Sequence, residues 1–122
     1  MTPTPPYSPV SGVGIDLVDI SRIRTILNEN KDHFMDNTFS EEEVRYCTSF
    51  TDPAPHFAGT FAAKEAYRKA TGLFDKKFSE IEIRRTSAGR PEIWIENTRD
   101  TSLHISISHT DRDATAIAIK SS

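Results

Sequence analysis

LHISISHTDRDATAIAIK, residues Leu103 to Lys120, is the stretch that decides the fold. Leu103, Ile105 and Ile107 alternate with His104, Ser106 and Ser108, so apolar side chains line one face of a strand and polar ones the other. Thr110 to Asp113 supplies turn residues, and Ala114 to Ile119 returns as a mostly apolar strand. The segment reads as an antiparallel hairpin. Working upstream, Ile93 and Ile95 alternate with Glu92, Trp94 and Glu96, Gly89-Arg90-Pro91 makes a turn, and Ile81 and Ile83 alternate with charges. The last third is therefore three or four antiparallel strands.

Before Ile81 the period changes. Phe57, Phe61 and Glu65 form an i, i+4, i+8 row with Ala58 and Ala62 beside it, which predicts a helix from about His56 to Ala70 with Gly72 as its stop. Ser40 followed by Glu43 is a capping box, with Phe39 and Val44 placed to staple a second helix that Pro53 and Pro55 break. An earlier helix runs from about Ser21 to Asn30, burying Ile23, Ile26 and Leu27 and turning Arg22 and Arg24 outward. Before it, GVGIDLV (Gly12 to Val18) is a short strand with Val13, Ile15 and Leu17 on one face and Gly14, Asp16 and Val18 on the other. Met1 to Ser11 holds four prolines and reads as a flexible lead-in. The expected product is one α+β domain over residues 12–122, with an N-terminal strand, about three helices and a C-terminal antiparallel sheet.

Composition narrows the function. With 122 residues the chain fits one compact domain, and a formal net charge of -3 argues against a basic nucleic-acid binder. No apolar run approaches the roughly 20 residues of a membrane helix. The first twelve residues lack the cationic start and apolar centre of a secretory signal. The single cysteine, Cys47, excludes an internal disulfide and a multi-cysteine metal site and is expected to pack as a small apolar residue. A cytoplasmic protein is expected, with neither membrane nor nucleic acid as partner. Charge is uneven: Lys64 to Arg90 carries eight basic against four acidic side chains, a net +4, and the remainder carries -7. Such a segment suits a phosphate-rich small ligand, or is a solvated mixed-charge surface.

Two carboxylates fall in apolar settings. Asp16 lies between Ile15 and Leu17, and Glu65 lies in the helical row of Phe57 and Phe61. If that helix packs on that strand, the two carboxylates approach each other and need a cation or a shared proton. Mg²⁺, which keeps waters and takes further ligands from phosphates, suits such a pair. The alternative is that Glu65 pairs with Lys69 at i+4 and Asp16 caps a neighbouring amide. Lys64, on a different side of the helix, is free to serve a phosphate separately. His109 ends its strand before a turn, as a phosphate contact, an acid/base group or a surface histidine. Trp94 either stacks on a base or is half-buried sheet surface.

Together these residues resemble a known family. GVGIDLVDISRI (Gly12 to Ile23), FSEEEVRYC (Phe39 to Cys47), FAGTFAAKEAYRKATG (Phe57 to Gly72), AGRP (Ala88 to Pro91) and SISHT (Ser106 to Thr110) are similar, in order, to the motifs of holo-(acyl-carrier-protein) synthases, the AcpS-type 4′-phosphopantetheinyl transferases. The resemblance implies transfer of 4′-phosphopantetheine from coenzyme A to a serine of apo acyl carrier protein, releasing adenosine 3′,5′-bisphosphate. It implies Mg²⁺ held by Asp16 and Glu65, and phosphate contacts from Lys64, Lys69 and His109. It further implies Gly89, Arg90 and Pro91 near the nucleotide 3′-phosphate, and a basic position at Arg22, with Arg24 beside it, meeting the acidic carrier protein. A homotrimer with active sites at subunit interfaces is implied as well. Glu65 acting through a metal-bound water is the first candidate for the base, with direct abstraction by Glu65 or by His109 the alternatives. Thr60 stands where the family commonly has arginine, and Ala88 where it commonly has a polar residue.

Overall fold

The computed structural model describes residues 9–29 and 31–122. Elements follow in the order β1 (Val10–Asp19), α1 (Ile20–Glu29), α2 (Lys31–Thr38), α3 (Glu41–Thr48), α4 (Ala54–Thr71), a 3₁₀ turn (Phe78–Glu80), β2 (Ile81–Arg85), β3 (Pro91–Ile95), β4 (Thr98–Arg99), β5 (Leu103–His109) and β6 (Asp113–Ser121). They build an α+β domain with two antiparallel sheets rather than one, in strand orders β1-β6-β5 and β2-β3-β4. The predicted hairpin is β5–β6, and β1 joins its outer edge with Ile15 opposite Ile117 and Asp16 opposite Ala116. The two-residue β3–β4 connection has Glu96 and Asn97 at positive φ, 51° and 63°, as a tight hairpin turn requires.

The long helix α4 lies against the first sheet, and small residues set how close it comes. Ala58, Ala62, Ala63 and Ala66 of the helix and Ala114, Ala116 and Ala118 of β6 are buried together. On β1 the contact is tighter still. A Cβ on Gly14 would stand 2.0 Å from the Ala66 carbonyl oxygen, and one on Gly12 2.0 Å from that of Ala70. Only glycine fits there. The face of β1 that turns inward is consequently the one with Gly12, Gly14, Asp16 and Val18. Val13, Ile15 and Leu17, the more apolar face, stay 56%, 62% and 69% exposed.

Three features differ from expectation. The strand begins at Val10, two residues into the predicted lead-in, and the Pro9 carbonyl accepts from the Ser122 amide at 2.8 Å. Residues 1–8 lie outside the described residues. Helix α2 has no counterpart in the expected three, because KDHFMDNT offers only Phe34 and Met35 as apolar anchors. α4 starts at Ala54, with Pro53 as its cap and Pro55 in its first turn, where a missing N–H costs nothing. The capping box is present as read: the Glu43 amide donates to Ser40 Oγ at 3.2 Å and the Ser40 amide to Glu43 Oε1 at 2.8 Å.

Lys64 requires a correction. It does not face a phosphate site but is fully buried, and its ammonium spends its three protons on Glu43 Oε1 at 2.7 Å, the Thr38 carbonyl at 2.6 Å and the Phe78 carbonyl at 3.0 Å. Glu43 Oε2 in turn accepts from the Ile83 amide at 2.7 Å. Burial pushes the Glu43 carboxyl up and the Lys64 ammonium down, and the contact between them opposes both shifts. The pair ties α2, α3, α4 and β2 together. Cys47, also fully buried, lies 3.7 Å from Thr60 Oγ1, and burial pushes its thiol up to about 12. Replacing Lys64 by alanine leaves a buried carboxylate uncompensated, and the expected loss is about 3–5 kcal/mol of unfolding free energy in urea titrations. A Lys64→Ala variant as stable as the parent would remove the structural role given to this side chain.

Candidate functional site

The crossing of α4 over β1 brings the two isolated carboxylates into one place. Asp16 is the inward residue after Gly14 on the strand, and Glu65 and Lys69 lie one turn apart on the helix. Lys69 Nζ donates to Asp16 Oδ1 at 3.2 Å and to the Ile15 carbonyl at 3.0 Å. Glu65 Oε1 accepts instead from Arg68 Nη1 at 3.0 Å. The i+4 pair of Glu65 with Lys69 is thus not formed: each carboxylate has its own cation. Burial holds the Asp16 carboxyl above its usual range. Lys69 opposes that shift, and the negative charge of Glu65 adds to it.

This donor set fits a hard divalent cation. Two carboxylates feel each other's charge at the edge of a helix–sheet seam, and the half-exposed Lys69 on Asp16 is a cation that a metal ion would replace. Among the described residues no group of three or more His, Cys, Asp or Glu side chains gathers to hold a metal on its own. Two donors therefore suit Mg²⁺, which fills its shell from water and ligand phosphate, and do not suit a closed structural site.

A second cluster lies across the sheet. His109 ends β5 two strands away from β1, which at the usual strand spacing is about 10 Å. Its ring meets His56 edge-on, centroids 5.4 Å apart, and His56 stacks on Phe50 at 3.5 Å. Tyr46, Arg85, His56 and His109 line a cleft of about 150 Å³. Arg85 lies over the Tyr46 ring, 4.5 Å from its centroid. Burial, then the neighbouring His109 and Arg85, push the His56 imidazole below its ordinary pKa. Neither His56 nor Arg85 stands out in the sequence. His56 sits beside two prolines at a helix start, and Arg85 is one of two adjacent arginines on a strand.

The remaining predicted site residues are more dispersed. Gly89 (φ 85°), Arg90 and Pro91 form the turn between β2 and β3, closed by the Gly89 amide on the Thr86 carbonyl at 2.8 Å. Among the described residues no hydrogen bond or ion pair links them to Asp16 or Glu65. Arg22 is exposed on α1, whereas Arg24 makes a two-pronged ion pair with Asp52 at 2.7 and 3.1 Å. Trp94 is half-buried sheet surface, with Arg84 stacked 4.0 Å from its ring centroid. Thr60 is buried, and its hydroxyl donates to the His56 carbonyl at 2.8 Å.

Known proteins resemble the chain over most of its length. The chain is 35% identical to a holo-(acyl-carrier-protein) synthase of Clostridium perfringens over 90% of its own length and 92% of the relative's. It is 36% identical to one of Syntrophus aciditrophicus over 90% and 94%. The crystal structure of the Bacillus anthracis holo-(acyl-carrier-protein) synthase, in complex with CoA (3′,5′-ADP), superposes with a TM-score of 0.78 at 32% identity, covering 93% of this chain and 97% of that one. The Helicobacter pylori synthase in complex with coenzyme A gives a TM-score of 0.78 at 29% identity, over 89% and 99%. The family model matches residues 12–119, from the strand that carries Asp16 to the last strand of the sheet, and the chain therefore belongs to the 4′-phosphopantetheinyl transferase superfamily.

Proposed function

We propose that the chain transfers the 4′-phosphopantetheine group of coenzyme A to a serine hydroxyl of apo acyl carrier protein, leaving adenosine 3′,5′-bisphosphate. The observation that carries this reading is the Asp16–Glu65 pair, assembled where α4 crosses β1, in a chain of this superfamily. Asp16 and Glu65 would hold Mg²⁺. That ion, when bound, neutralises charge on the diphosphate of coenzyme A. The protein's own part is positioning and electrostatics, since displacement at phosphorus needs little covalent help. Lys69, with its flexible stem and 45% exposed side chain, turns from Asp16 to a phosphate oxygen. His109 binds phosphate from the second cluster, with His56 and Arg85 beside it. Gly89, Arg90 and Pro91 receive the nucleotide end, Glu65 takes the serine proton, and Arg22 and Arg24 meet the acidic carrier protein. Among the described residues no helix is long and apolar enough to cross a membrane.

A homotrimer completes the reading. The exposed face of β1 meets the half-buried Ile117 and Ile119 of β6, opposite Ile15 and Val13, in an apolar strip of the kind that marks an interface. Docking of subunits there lets the His109 cluster of one chain serve the acidic pair of another. Within one chain those clusters are too far apart for one metal and its direct ligands.

Incubation with apo acyl carrier protein, coenzyme A and Mg²⁺ should add about 340 Da to the carrier protein, the mass of a phosphopantetheine phosphodiester. No adduct on any fatty-acid or polyketide carrier protein would leave a binding module in place of an enzyme. Glu65→Gln should lower kcat at least about 100-fold with its melting temperature within a few degrees of the parent's. Survival of activity would reduce Glu65 to a surface partner of Arg68. Ile15→Lys should yield monomers in light scattering and lose transfer together with the trimer. An active monomer would contradict the shared site.

A further inference from the structure

Arg68 is the one cation at the acidic pair that does not behave as a mobile surface group. Its Nη1 donates to Glu65 Oε1 at 3.0 Å, its Nη2 donates to the Phe74 carbonyl, and its guanidinium lies over the Phe78 ring, 4.6 Å from the centroid. Its side chain is 21% exposed, against 45% for Lys69. Arg68 Nε is the only buried side-chain nitrogen or oxygen without a hydrogen-bond partner among the described residues. An N–H left unsatisfied in this way costs stability, and a smaller or unbranched residue here would avoid the cost. The guanidinium is also held by two contacts that involve neither carboxylate. Lys69 can leave Asp16; Arg68 cannot leave Glu65 without also releasing Phe74 and Phe78.

The charges then balance in an informative way. Without a metal, two carboxylates face two cations, and the site is electrically neutral. A divalent cation entering alone would give it a charge of two, beside a fixed guanidinium that repels it. A divalent cation entering with the doubly negative diphosphate restores neutrality. Arg68 engages Oε1, so Oε2 remains the oxygen for the metal. We propose that Arg68 is a built-in counter-ion of Glu65 that keeps the metal-free site neutral, so that a divalent cation binds tightly only together with an anionic substrate. The inference rests on the assignment of Asp16 and Glu65 as metal ligands. Arg68 touches neither substrate nor reacting atoms and acts through the carboxylate it neutralises.

Mn²⁺ titrated into the full-length protein and followed by electron paramagnetic resonance tests this without any turnover. The parent should bind Mn²⁺ weakly alone and at least about tenfold more tightly with saturating coenzyme A, after correction for Mn²⁺ held by free coenzyme A. Arg68→Gln should bind Mn²⁺ alone about tenfold more tightly than the parent, and its gain from coenzyme A should shrink accordingly. Arg68→Lys keeps the charge but loses the fork and the stack on Phe78, and should stay within about threefold of the parent. If Arg68→Gln matches the parent or binds Mn²⁺ more weakly, the proposal fails. It fails equally if Arg68→Lys follows Arg68→Gln, since loosened packing and not charge would then be the cause. Should no protein bind Mn²⁺ even with coenzyme A, the metal-ligand assignment falls first and this inference with it.

Discussion

The structure depends on backbone touching backbone where α4 crosses β1. A helix normally stands off a sheet by the thickness of its side chains, but here Gly12 and Gly14 present none and the Ala66 and Ala70 carbonyls sit where their Cβ atoms would be. That contact fixes the helix axially and in rotation. Once fixed, the side chain one step beyond Gly14 on the strand and those at the rim of the helix must meet. The acidic pair is the chemical result of a packing constraint. The same contact explains why the less apolar face of the strand turns inward: the glycines are what the helix can approach.

A second constraint divides two neighbours on α4. Lys64 and Glu65 are adjacent in sequence, and the rotation of about 100° per residue in a helix sends one into the interior and the other to the rim. Inside, Lys64 is saturated by Glu43 and two carbonyls, including one at the start of the 3₁₀ turn. At the rim, Glu65 meets Arg68, which grips the same connecting segment through the Phe74 carbonyl. The segment between α4 and β2 is therefore held from both sides by cations of one helix.

Much of this was legible in the sequence because it depends on local rules. The alternation of Leu103, Ile105 and Ile107 located a strand, Ser40 and Glu43 a helix start, and the apolar settings of Asp16 and Glu65 exposed both as misplaced carboxylates. Less legible were features set by partners distant in the chain. Glu43 shows its capping role three residues from Ser40, but nothing local reveals that its carboxylate also faces Lys64 and the Ile83 amide. Which face of β1 turns inward was not legible from alternation either: Val13, Ile15 and Leu17 form the more apolar face, yet they stay exposed because the helix can approach only the glycines. Partner choice between cations was equally non-local. Lys69 sits at the ideal helical spacing from Glu65 but reaches across to the strand, and Arg68 takes its place.

Cys47 has a practical consequence. The only sulfhydryl in the chain is enclosed in the core beside Thr60, with its proton held far into the alkaline range. Thiolate is the reactive form, so maleimides and disulfide reagents find almost none of it at neutral pH. The molecule thus comes with a silent chemical background. A cysteine introduced on the outer face of β1 or beside the His109 cleft would accept a fluorophore or spin label alone, without first removing a native residue.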